Sequence, residues 1–578
     1  IVLVTGVQTC ALPISSRSVH VEADINMYLC QCLLTWWAKY CKADKKPEGY
    51  HVVALLWTVI RAISTSKTPV AKEIVQQTEL IATIVGITDA ITSTPPIASD
   101  RKLSFKFKLP ADLKPLKISL NQTEFQLLHC GPYMDRDLDA KVDSRVSSFV
   151  PDGWQRKVLD ELDADNSVFV VAPTSAGKTF ISFYAMENIL RSDNDGILIY
   201  VAPTKALVNQ IAAEIQGRFS KKYPQAGKSI WAIHTREYRI NNPIGCQILV
   251  TVPHILQTML LSPTNAKTWS PLVRRIIFDE IHSIGTAEDG VVWEQLLLLA
   301  PCPIIALSAT VGNPEQFSDW LAETQKSSGN KLSMIRHTTR YSDLRKFLYQ
   351  PPKGFEFNGL PKSTKGGLGL DGLYGLSFLH PVASLQYRSR GLPDDLALEP
   401  RDCFILWKAM CKLQTENYKV PSELDPAKAL PLCIKKFDIF KWEKKLKVLL
   451  LSWMNDEKSP FEKLVQELTP TKNELAPIAE GEKEIDRNDL RQTTLPLLYQ
   501  LHQRGALPAI FFNYDRTACE DISLSLLSQL KTAEDAFKES KEWKRKVEKW
   551  TEWKELKDKK AAKKAPKVSK KKTNDDED

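Results

Sequence analysis

The chain has 578 residues, of which 43% are hydrophobic and 25% charged, as in globular proteins built from several domains. Its eleven cysteines lack the spacing of metal fingers or of a disulfide framework. We therefore expect a reducing compartment and a cytoplasmic location. The net charge of +9 is uneven, because residues 531–578 alone hold 17 basic and 12 acidic side chains. A nucleic-acid-binding surface must therefore be sought locally.

The first residues do not read as part of a fold. The chain starts at Ile1 rather than Met, and residues 4–14, VTGVQTCALPI, resemble the translation of a sequencing-library adaptor. We interpret 1–15 as an artefact, with a genuine strand or signal remnant as the alternative. Apolar residues at helical spacing over 25–40, 50–63 and 70–92 predict a helical remnant of an N-terminal domain at 16–95.

The pattern changes twice after these helices. Residues 96–148 are Pro-rich and then alternate in polarity over 103–109, which predicts an extended linker or short strands. From residue 149, apolar runs alternate with helical segments such as 204–219 and 292–299. This predicts an α/β domain at 149–330, a parallel sheet with helices on both faces. The expected strands are 168–171, 197–201, 229–233, 247–252, 275–278 and 303–307.

The central motif is the segment 167–179, SVFVVAPTSAGKT. A buried strand, a loop of small residues and a helix are the context in which backbone N–H groups cradle phosphates. Lys178 supplies a charge for the outer phosphates, and the Thr179 hydroxyl is placed for Mg²⁺. The predicted nucleotide-binding loop consists of Ala172, Pro173, Thr174, Ser175, Ala176, Gly177, Lys178 and Thr179.

Two further motifs follow predicted strands. Asp279 and Glu280 come directly after the strand 275–278, about a hundred residues beyond Lys178. In a nucleoside triphosphatase, such a pair holds Mg²⁺, partly through water, and activates the attacking water. We assign Asp279 to the metal, and Glu280 and Lys178 to catalysis. Ser308 and Thr310 end the next strand, where hydroxyl groups can report the nucleotide state to the loop 279–282.

Six segments in this order resemble a known family: F-x-x-D-x-W-Q at 149–155, APTSAGKT at 172–179, APTKAL at 202–207, TVP at 251–253, DEIH at 279–282 and SAT at 308–310. Together they resemble the superfamily-two DExH-box helicases and are most similar to superkiller-type RNA helicases. The phrases HCGPYMDRDLD, WQRKVLDELD, APTSAGKTFISFYAME, RYSDLRKFLY and LEPRDC resemble the antiviral DExD/H-box helicase-sixty subgroup. The resemblance covers roughly residues 20–530 and implies that 149–330 is the first, ATP-binding RecA-like domain, a RecA-like parallel sheet with helices on both faces.

The resemblance implies roles that spacing alone does not give. Gln155 would contact the adenine edge, which implies ATP as the nucleotide, with Trp154 supporting that pocket. His282 would join Ser308 and Thr310 in coupling ATP to nucleic acid. Single-stranded nucleic acid would be contacted by Pro203, Thr204, Lys205 and Thr251. For the turn 235–237, a contact with the strand and a plain surface turn are both open.

The remainder of the chain departs from the α/β repeat. We interpret 331–495 as a family-specific connector with a flexible loop at 354–375 and helices at 402–413, 437–454 and 460–468. Residues 496–530, with a strand at 507–512 and a helix at 516–530, resemble motif IV at the start of a second RecA-like domain. No QxxGRxGR-like sequence follows, so we expect an incomplete second domain without motifs V and VI. Arginine fingers in that motif contribute ~10³–10⁵ in rate.

The tail 531–578 is Lys-rich and carries an apolar helical stripe at Trp543, Val547, Trp550, Trp553 and Leu556. Two interpretations are open, a helix packed on further parts of the second domain and an aromatic, basic contact for nucleic acid. Residues 561–578 are low in apolar side chains, and we expect them to be disordered.

The sequence therefore predicts an ATP-dependent RNA helicase or RNA-stimulated ATPase, present as a fragment. Its cofactors would be ATP and Mg²⁺, and its partner single-stranded or partly duplex RNA, with no membrane partner. Two alternatives remain, a DNA helicase of similar build and a non-unwinding, ATP-switched RNA sensor or scaffold. Comparing how RNA and DNA stimulate ATP hydrolysis distinguishes the RNA helicase from the DNA helicase. Measuring ATP turnover distinguishes both enzymes from the sensor or scaffold.

Overall fold

The computed structural model describes most of the chain in two compact units. The first unit contains the described residues from 21 to 338 and those from 389 to 456, and the second contains those in 345–388 and 457–564. The described residues are 21–66, 68–92, 96–135, 139–146, 149–174, 176–285, 290–309, 311–338, 345–360, 370, 375–385, 387–393, 396–470, 478 and 482–564. The segment interpreted as an artefact lies outside them.

The first unit begins with four helices and two short strands around one apolar core. Helix α3 ends at Gly86, whose φ of 85° lies in the left-handed region that favours glycine as a helix cap. The segment 103–109 forms no strand, and Phe105 and Phe107 pack on the helical core instead. The elements are α1 (Glu22–Lys42), α2 (Lys46–Ser64), β1 (Val70–Ala71), α3 (Lys72–Val85), β2 (Ala98–Ser99) and α4 (Gln122–Phe125).

The middle of the first unit is an eight-stranded, mostly parallel sheet. Its strand order is β10-β3-β9-β8-β4-β7-β5-β6, and the short β6 runs antiparallel to β5. The strands are β3 (Ser167–Val171), β4 (Ile197–Val201), β5 (Ser229–His234), β6 (Arg239–Ile240), β7 (Cys246–Thr251), β8 (Val273–Phe278), β9 (Ile304–Ser308) and β10 (Leu332–Arg336). The predicted α/β class is confirmed. Strand β10, which pairs with β3, was not predicted.

Helices cover both faces of this sheet because its strands are apolar on both sides. Val168 and Val170 face one core with α5, α6 and α7, whereas Phe169 and Val171 face a second core with α8, α10 and α11. The helices are α5 (Gly153–Asp163), α6 (Lys178–Ser192), α7 (Lys205–Arg218), α8 (Pro253–Leu261), α9 (Pro263–Thr268), α10 (Gly290–Leu299) and α11 (Pro314–Ser327).

Residues 389–456 return to the N-terminal helices. The side-chain amide of Gln126 donates to the Leu432 carbonyl at 2.8 Å and accepts from the Ile434 N–H at 2.9 Å. Arg61 donates through Nη1 to Cys433 Sγ at 2.7 Å. This part of the predicted connector therefore belongs to the first unit. It contains α12 (Pro400–Leu413), α13 (Pro426–Ala429) and α14 (Lys436–Asn455).

The second unit contains an antiparallel strand pair and four helices. These are β11 (Lys346–Tyr349), β12 (Leu376–Leu379), α15 (Phe461–Leu468), α16 (Leu490–Gln503), α17 (Arg516–Glu539) and α18 (Lys541–Lys564). Most of the predicted loop 354–375 lies outside the described residues. None of the helices that the structure describes is long and apolar enough to cross a bilayer.

Two expectations for this unit are wrong. The strand predicted at 507–512 does not form, because within the described residues 482–564 no strand pairs with it, and Ile510 and Phe512 are exposed. Residues 561–564, which we expected to be disordered, form the last turn of helix α18. Residues 565–578 lie outside the described part of the chain. That 496–530 begins a second RecA-like domain stays a prediction.

Candidate active site

Four neighbouring parallel strands end at the same edge of the sheet. In the order β3, β9, β8 and β4, they lead into the loops that begin at Ala172, Ala309, Asp279 and Ala202. Because the carboxyl ends of parallel strands share one edge, motifs far apart in sequence become neighbours there. The Ala172 N–H donates to the Ser308 carbonyl at 3.0 Å, which joins the first loop to the second strand.

The phosphate-loop residues enter helix α6 through a tight turn. Gly177 has φ of 96°, and a Cβ at this position would lie 2.7 Å from Gln155 Nε2, so only glycine fits without displacement. Lys178 begins α6, and its Nζ donates to the Ala172 carbonyl at 2.9 Å. Burial lowers the pKa of Lys178, while the charges of Glu280 and Asp279 act in the opposite direction. The ammonium group therefore lies in the field of both carboxylates.

Asp279 is fixed by two donors. The Tyr200 hydroxyl, on β4, donates to Oδ2, and the Glu280 N–H donates to Oδ1 at 3.0 Å. Burial, and then the charge of Asp279, raises the pKa of Tyr200, so this hydroxyl keeps its proton. A carboxylate held in this way presents its remaining lone pairs in one orientation.

Glu280 adopts φ of 49°, an uncommon conformation for a residue with a Cβ. Its Oε2 lies 3.4 Å from His282 Nδ1, within ion-pair distance but not aligned as a hydrogen bond, and it is buried without a hydrogen-bond partner. His282 Nδ1 also lies 3.2 Å from Ser308 Oγ. The expected coupling pair His282 and Ser308 is therefore in contact, whereas Thr310 lies outside the described residues.

These groups fit a hard divalent cation. Mg²⁺ prefers oxygen ligands and usually retains several water molecules beside one or two carboxylates and the substrate phosphates. Asp279 and the exposed Thr179 offer such oxygens, and the unpartnered oxygen of Glu280 is an acceptor beside them. Within the described residues, no three His, Cys, Asp or Glu side chains form a complete metal cage.

The side chain of Gln155 is engaged with the backbone on both sides. Its Oε1 accepts from the Asp152 N–H at 3.0 Å, and its Nε2 donates to the Ala176 carbonyl at 3.4 Å, which ties α5 to the phosphate loop. The neighbouring Trp154 is buried and stacks on His337, with ring centroids 5.0 Å apart and planes 13° apart. Pro173, Thr174 and Ala176 line the same loop, while Ser175 lies outside the described residues.

The predicted nucleic-acid contacts differ in accessibility. Thr204 caps α7, its hydroxyl accepting from the Leu207 N–H at 3.4 Å, and follows the half-buried Pro203. Lys205 is exposed but forms an ion pair with Glu237. Thr251 is buried, and its hydroxyl donates to the His234 carbonyl at 2.7 Å, so this side chain points into the sheet.

Sequence reasoning did not identify Tyr200 or His337 as parts of this region, and it named Glu237 only as part of the turn 235–237, not as a partner of Lys205. The one available signal was the phenol of Tyr200 in an otherwise aliphatic buried strand, because a buried hydroxyl needs a partner. Nothing in the sequence indicated that His337 would meet Trp154, 183 residues away, or that Glu237 would pair with Lys205.

Comparison with known proteins agrees with this geometry. Residues 153–317 match the model of the DEAD/DEAH box helicase family, so the chain contains a DEAD/DEAH helicase domain. An uncharacterized helicase of Caenorhabditis elegans is 35% identical over 463 residues, which is 76% of this chain and 26% of that protein.

Two human proteins are also similar. The "Probable ATP-dependent RNA helicase DDX60-like" is 32% identical over 430 residues, covering 69% of this chain and 24% of that protein. "Superkiller complex protein 2" is 32% identical over 226 residues, covering 38% of this chain and 16% of that protein. The chain spans about a quarter of the length of the first two relatives.

Proposed function

We propose that this chain binds ATP at the edge formed by β3, β9, β8 and β4, and that it supplies the catalytic carboxylate of an ATPase coupled to single-stranded RNA. The observation that carries the proposal is that Lys178, after β3, and Asp279 and Glu280, after β8, lie at the same edge of the sheet. Lys178 is half-buried, and its ammonium lies in the field of both carboxylates. The lysine is well placed for an anionic phosphate, and the carboxylates are well placed for a divalent cation.

Each group has a role in phosphoryl transfer. The loop N–H groups and Lys178 would hold the outer phosphates at the N-terminus of α6, where the helix dipole favours negative charge. Asp279, fixed by Tyr200, and Thr179 would hold Mg²⁺, which neutralises charge that develops on the phosphates. Glu280, with an oxygen that lacks a hydrogen-bond partner, would orient the attacking water and accept its proton.

The His282–Ser308 contact supports coupling between hydrolysis and nucleic acid. It joins the carboxylate loop to β9, whose end also bonds the phosphate loop through the Ser308 carbonyl. A change in the position of Glu280 during hydrolysis would therefore reach two loops of the same edge. RNA rather than DNA is proposed because the relatives named here include an RNA helicase. We propose the helicase-sixty subgroup on the quoted phrases.

The phosphate-loop assignment is tested by Lys178→Ala. Removing this ammonium leaves the outer phosphates without their cation, so we expect ATP affinity to fall and RNA-stimulated phosphate release to be lost. Displacement of a fluorescent ATP analogue and phosphate release by the full chain measure both quantities. Lys326→Ala, which removes an exposed lysine from α11, is the matched control. Unchanged turnover in Lys178→Ala contradicts the assignment.

The base assignment is tested by Glu280→Gln. The amide cannot accept the proton of the attacking water, so hydrolysis should slow by ~10²–10⁴ while ATP still binds. Glu294→Gln, at an exposed position of α10, is the control with the same chemical change. Loss of ATP binding in Glu280→Gln means that the carboxylate is structural. Running the assay with single-stranded RNA and with DNA of the same sequence tests the substrate.

A further inference from the structure

Helix α18 exposes three tryptophans. Trp543 is 36% exposed, and Trp550 and Trp553 are each 57% exposed. Single exposed apolar residues are common on protein surfaces, but several large aromatic rings on one helix usually mark a binding surface. The Trp543 ring touches Phe537 of α17 with centroids 5.6 Å apart, and the other two rings extend along the helix.

Helical spacing places these residues on one side. Trp543, Val547 and Trp550 follow one another by four and three residues and so share a face, with Trp553 at its border. At a rise of ~1.5 Å per residue, the rings of Trp543 and Trp550 are separated by roughly 10 Å along the axis, and Trp553 follows ~5 Å further. We call this surface the tryptophan face.

Lysines are held against these rings. Lys554 Nζ lies 5.2 Å from the Trp550 ring centroid, and Lys557 Nζ lies 5.1 Å from that of Trp553. Both contacts are within the range of cation–π attraction. The tryptophan face therefore alternates flat aromatic surfaces with positive charges.

Three of the five negative charges of α18 lie away from the tryptophan face. At ~100° per residue, Glu548, Glu552 and Glu555 project roughly 140–160° away from Trp550. Within ~60° of Trp550, the described charged side chains are Lys546, Lys554 and Lys557, whereas Glu542 and Asp558 lie ~80° away. Such a surface complements an anion that also presents flat, apolar rings.

We infer that the tryptophan face binds single-stranded nucleic acid, its rings stacking on bases and Lys554 and Lys557 contacting phosphates. The choice of RNA rests on the proposed function. Stacking on aromatic side chains beside a basic surface is the common mode of sequence-tolerant single-strand binding. A membrane surface fits less well, because the aliphatic side chains of this stripe are Val547 and, beyond Trp553, Leu556, fewer than the aromatic rings.

The test is fluorescence anisotropy of a labelled oligouridylate of about 20 nucleotides with the full chain, in the absence of ATP. Trp550→Leu/Trp553→Leu keeps apolar bulk but removes the flat ring, and Trp550→Phe/Trp553→Phe keeps a ring. We expect the leucine variant to bind about 10-fold or more weakly and the phenylalanine variant to stay within about 3-fold of the original. Since these side chains are exposed, both variants should retain the circular dichroism spectrum and melting temperature.

A second pair of variants tests the charges. Lys554→Gln/Lys557→Gln should lower the slope of log affinity against log salt concentration by about 1.4, the value for two phosphate contacts to a single strand. Lys541→Gln/Lys559→Gln removes the same charge from the side opposite Trp550 and should change the slope less. Equal slopes for the two pairs contradict a specific role for the tryptophan face.

Other outcomes overturn the inference in identifiable ways. If the leucine variant binds RNA with full affinity, the rings do not stack on bases. If the leucine and the phenylalanine variants both lose RNA affinity, the two tryptophans have a structural role. If the leucine variant keeps its RNA affinity but loses binding to phosphatidylserine–phosphatidylcholine vesicles, the occupant is a membrane. ATP binding is measured on the same samples. If the original chain fails to bind ATP but its RNA affinity depends on the tryptophan face, the proposed function fails while this inference stands.

Discussion

At the scale of single residues, the site depends on side chains whose partners come from other strands. Tyr200 shows this most directly, because its hydroxyl orients Asp279 from the adjacent strand. The sequence predicts Asp279, since two carboxylates after a buried strand are chemically informative. The sequence does not predict that the Tyr200 hydroxyl donates to Asp279, because the pairing of β4 with β8 is known only from the assembled sheet.

Lys205 and Glu237 provide a prediction at this scale. The Lys205 ammonium, expected to contact nucleic acid, is paired with Glu237, whose pKa is lowered by the hydrogen bond from Lys205. We expect Glu237→Gln to release Lys205 and to strengthen binding of single-stranded RNA, with the salt slope steeper by about 0.7. Anisotropy titrations at several salt concentrations measure this.

The control for this prediction is Glu187→Gln, which breaks the surface pair with Arg191 on α6. It changes the net charge equally without releasing Lys205. The double variant Glu237→Gln/Lys205→Gln should lose the gain in affinity. An unchanged affinity in Glu237→Gln means that Lys205 does not contact the strand.

At the scale of secondary-structure elements, the sequence was most informative where burial is complete. Apolar runs without helical period predict β4 with its observed bounds, Ile197–Val201, because such strands are buried on both faces. The sequence was least informative for strands at the edge of a sheet. Strand β10 carries Ser333 and Arg336 and forms only through pairing with β3, whereas 507–512 has the composition of a strand and no partner.

The turn before α6 gives a prediction for an element. Gly177→Ala places a Cβ 2.7 Å from Gln155 Nε2 at a φ of 96°. We expect the phosphate loop to move, with ATP affinity lowered about 10-fold and the free energy of unfolding lowered by about 1 kcal/mol from backbone strain. ATP-analogue displacement and urea unfolding measure the two effects.

Gly329→Ala is the matched control for this turn. Gly329 has φ of 78°, and no atom lies within 4 Å of its added Cβ. We therefore expect Gly329→Ala to lower the free energy of unfolding about as much as Gly177→Ala does, while ATP affinity stays normal. Equal ATP affinity in the two variants would mean that the geometry of the Gly177 turn does not control the loop.

At the scale of the whole chain, the first unit is closed by contacts between segments about 300 to 370 residues apart. Residues 433–436 return to the N-terminal helices, where Arg61 pairs with Asp135 and Lys436 N–H donates to the Asp135 carbonyl at 2.8 Å. Sequence periodicity predicted the helices of both segments but not their association. Periodicity reports which face of a helix is apolar and not which distant element covers it.

A buried carboxyl beside this junction makes the stability of the unit depend on pH. Asp89 is 1% exposed, accepts a hydrogen bond from Trp57 Nε1 at 2.7 Å, and has its pKa raised to about 6 by burial. The usual pKa of an aspartate is 3.8, so the folded state binds this proton more tightly than the unfolded state does. As the pH rises from about 3.8 to about 6, the unfolded state loses this proton before the folded state does, so the free energy of unfolding falls and then stays lower above about pH 6.

Asp89→Asn removes the charge and keeps an acceptor for Trp57. We expect the variant to exceed the original chain in free energy of unfolding by on the order of 1–3 kcal/mol at about pH 7.5, with the difference disappearing near pH 4. Urea unfolding followed by tryptophan fluorescence at both pH values measures it. Asp100→Asn, at an exposed position, should show no such dependence. Destabilisation of Asp89→Asn at about pH 7.5 would mean that attraction between the Asp89 carboxylate and Arg61 outweighs the cost of burial.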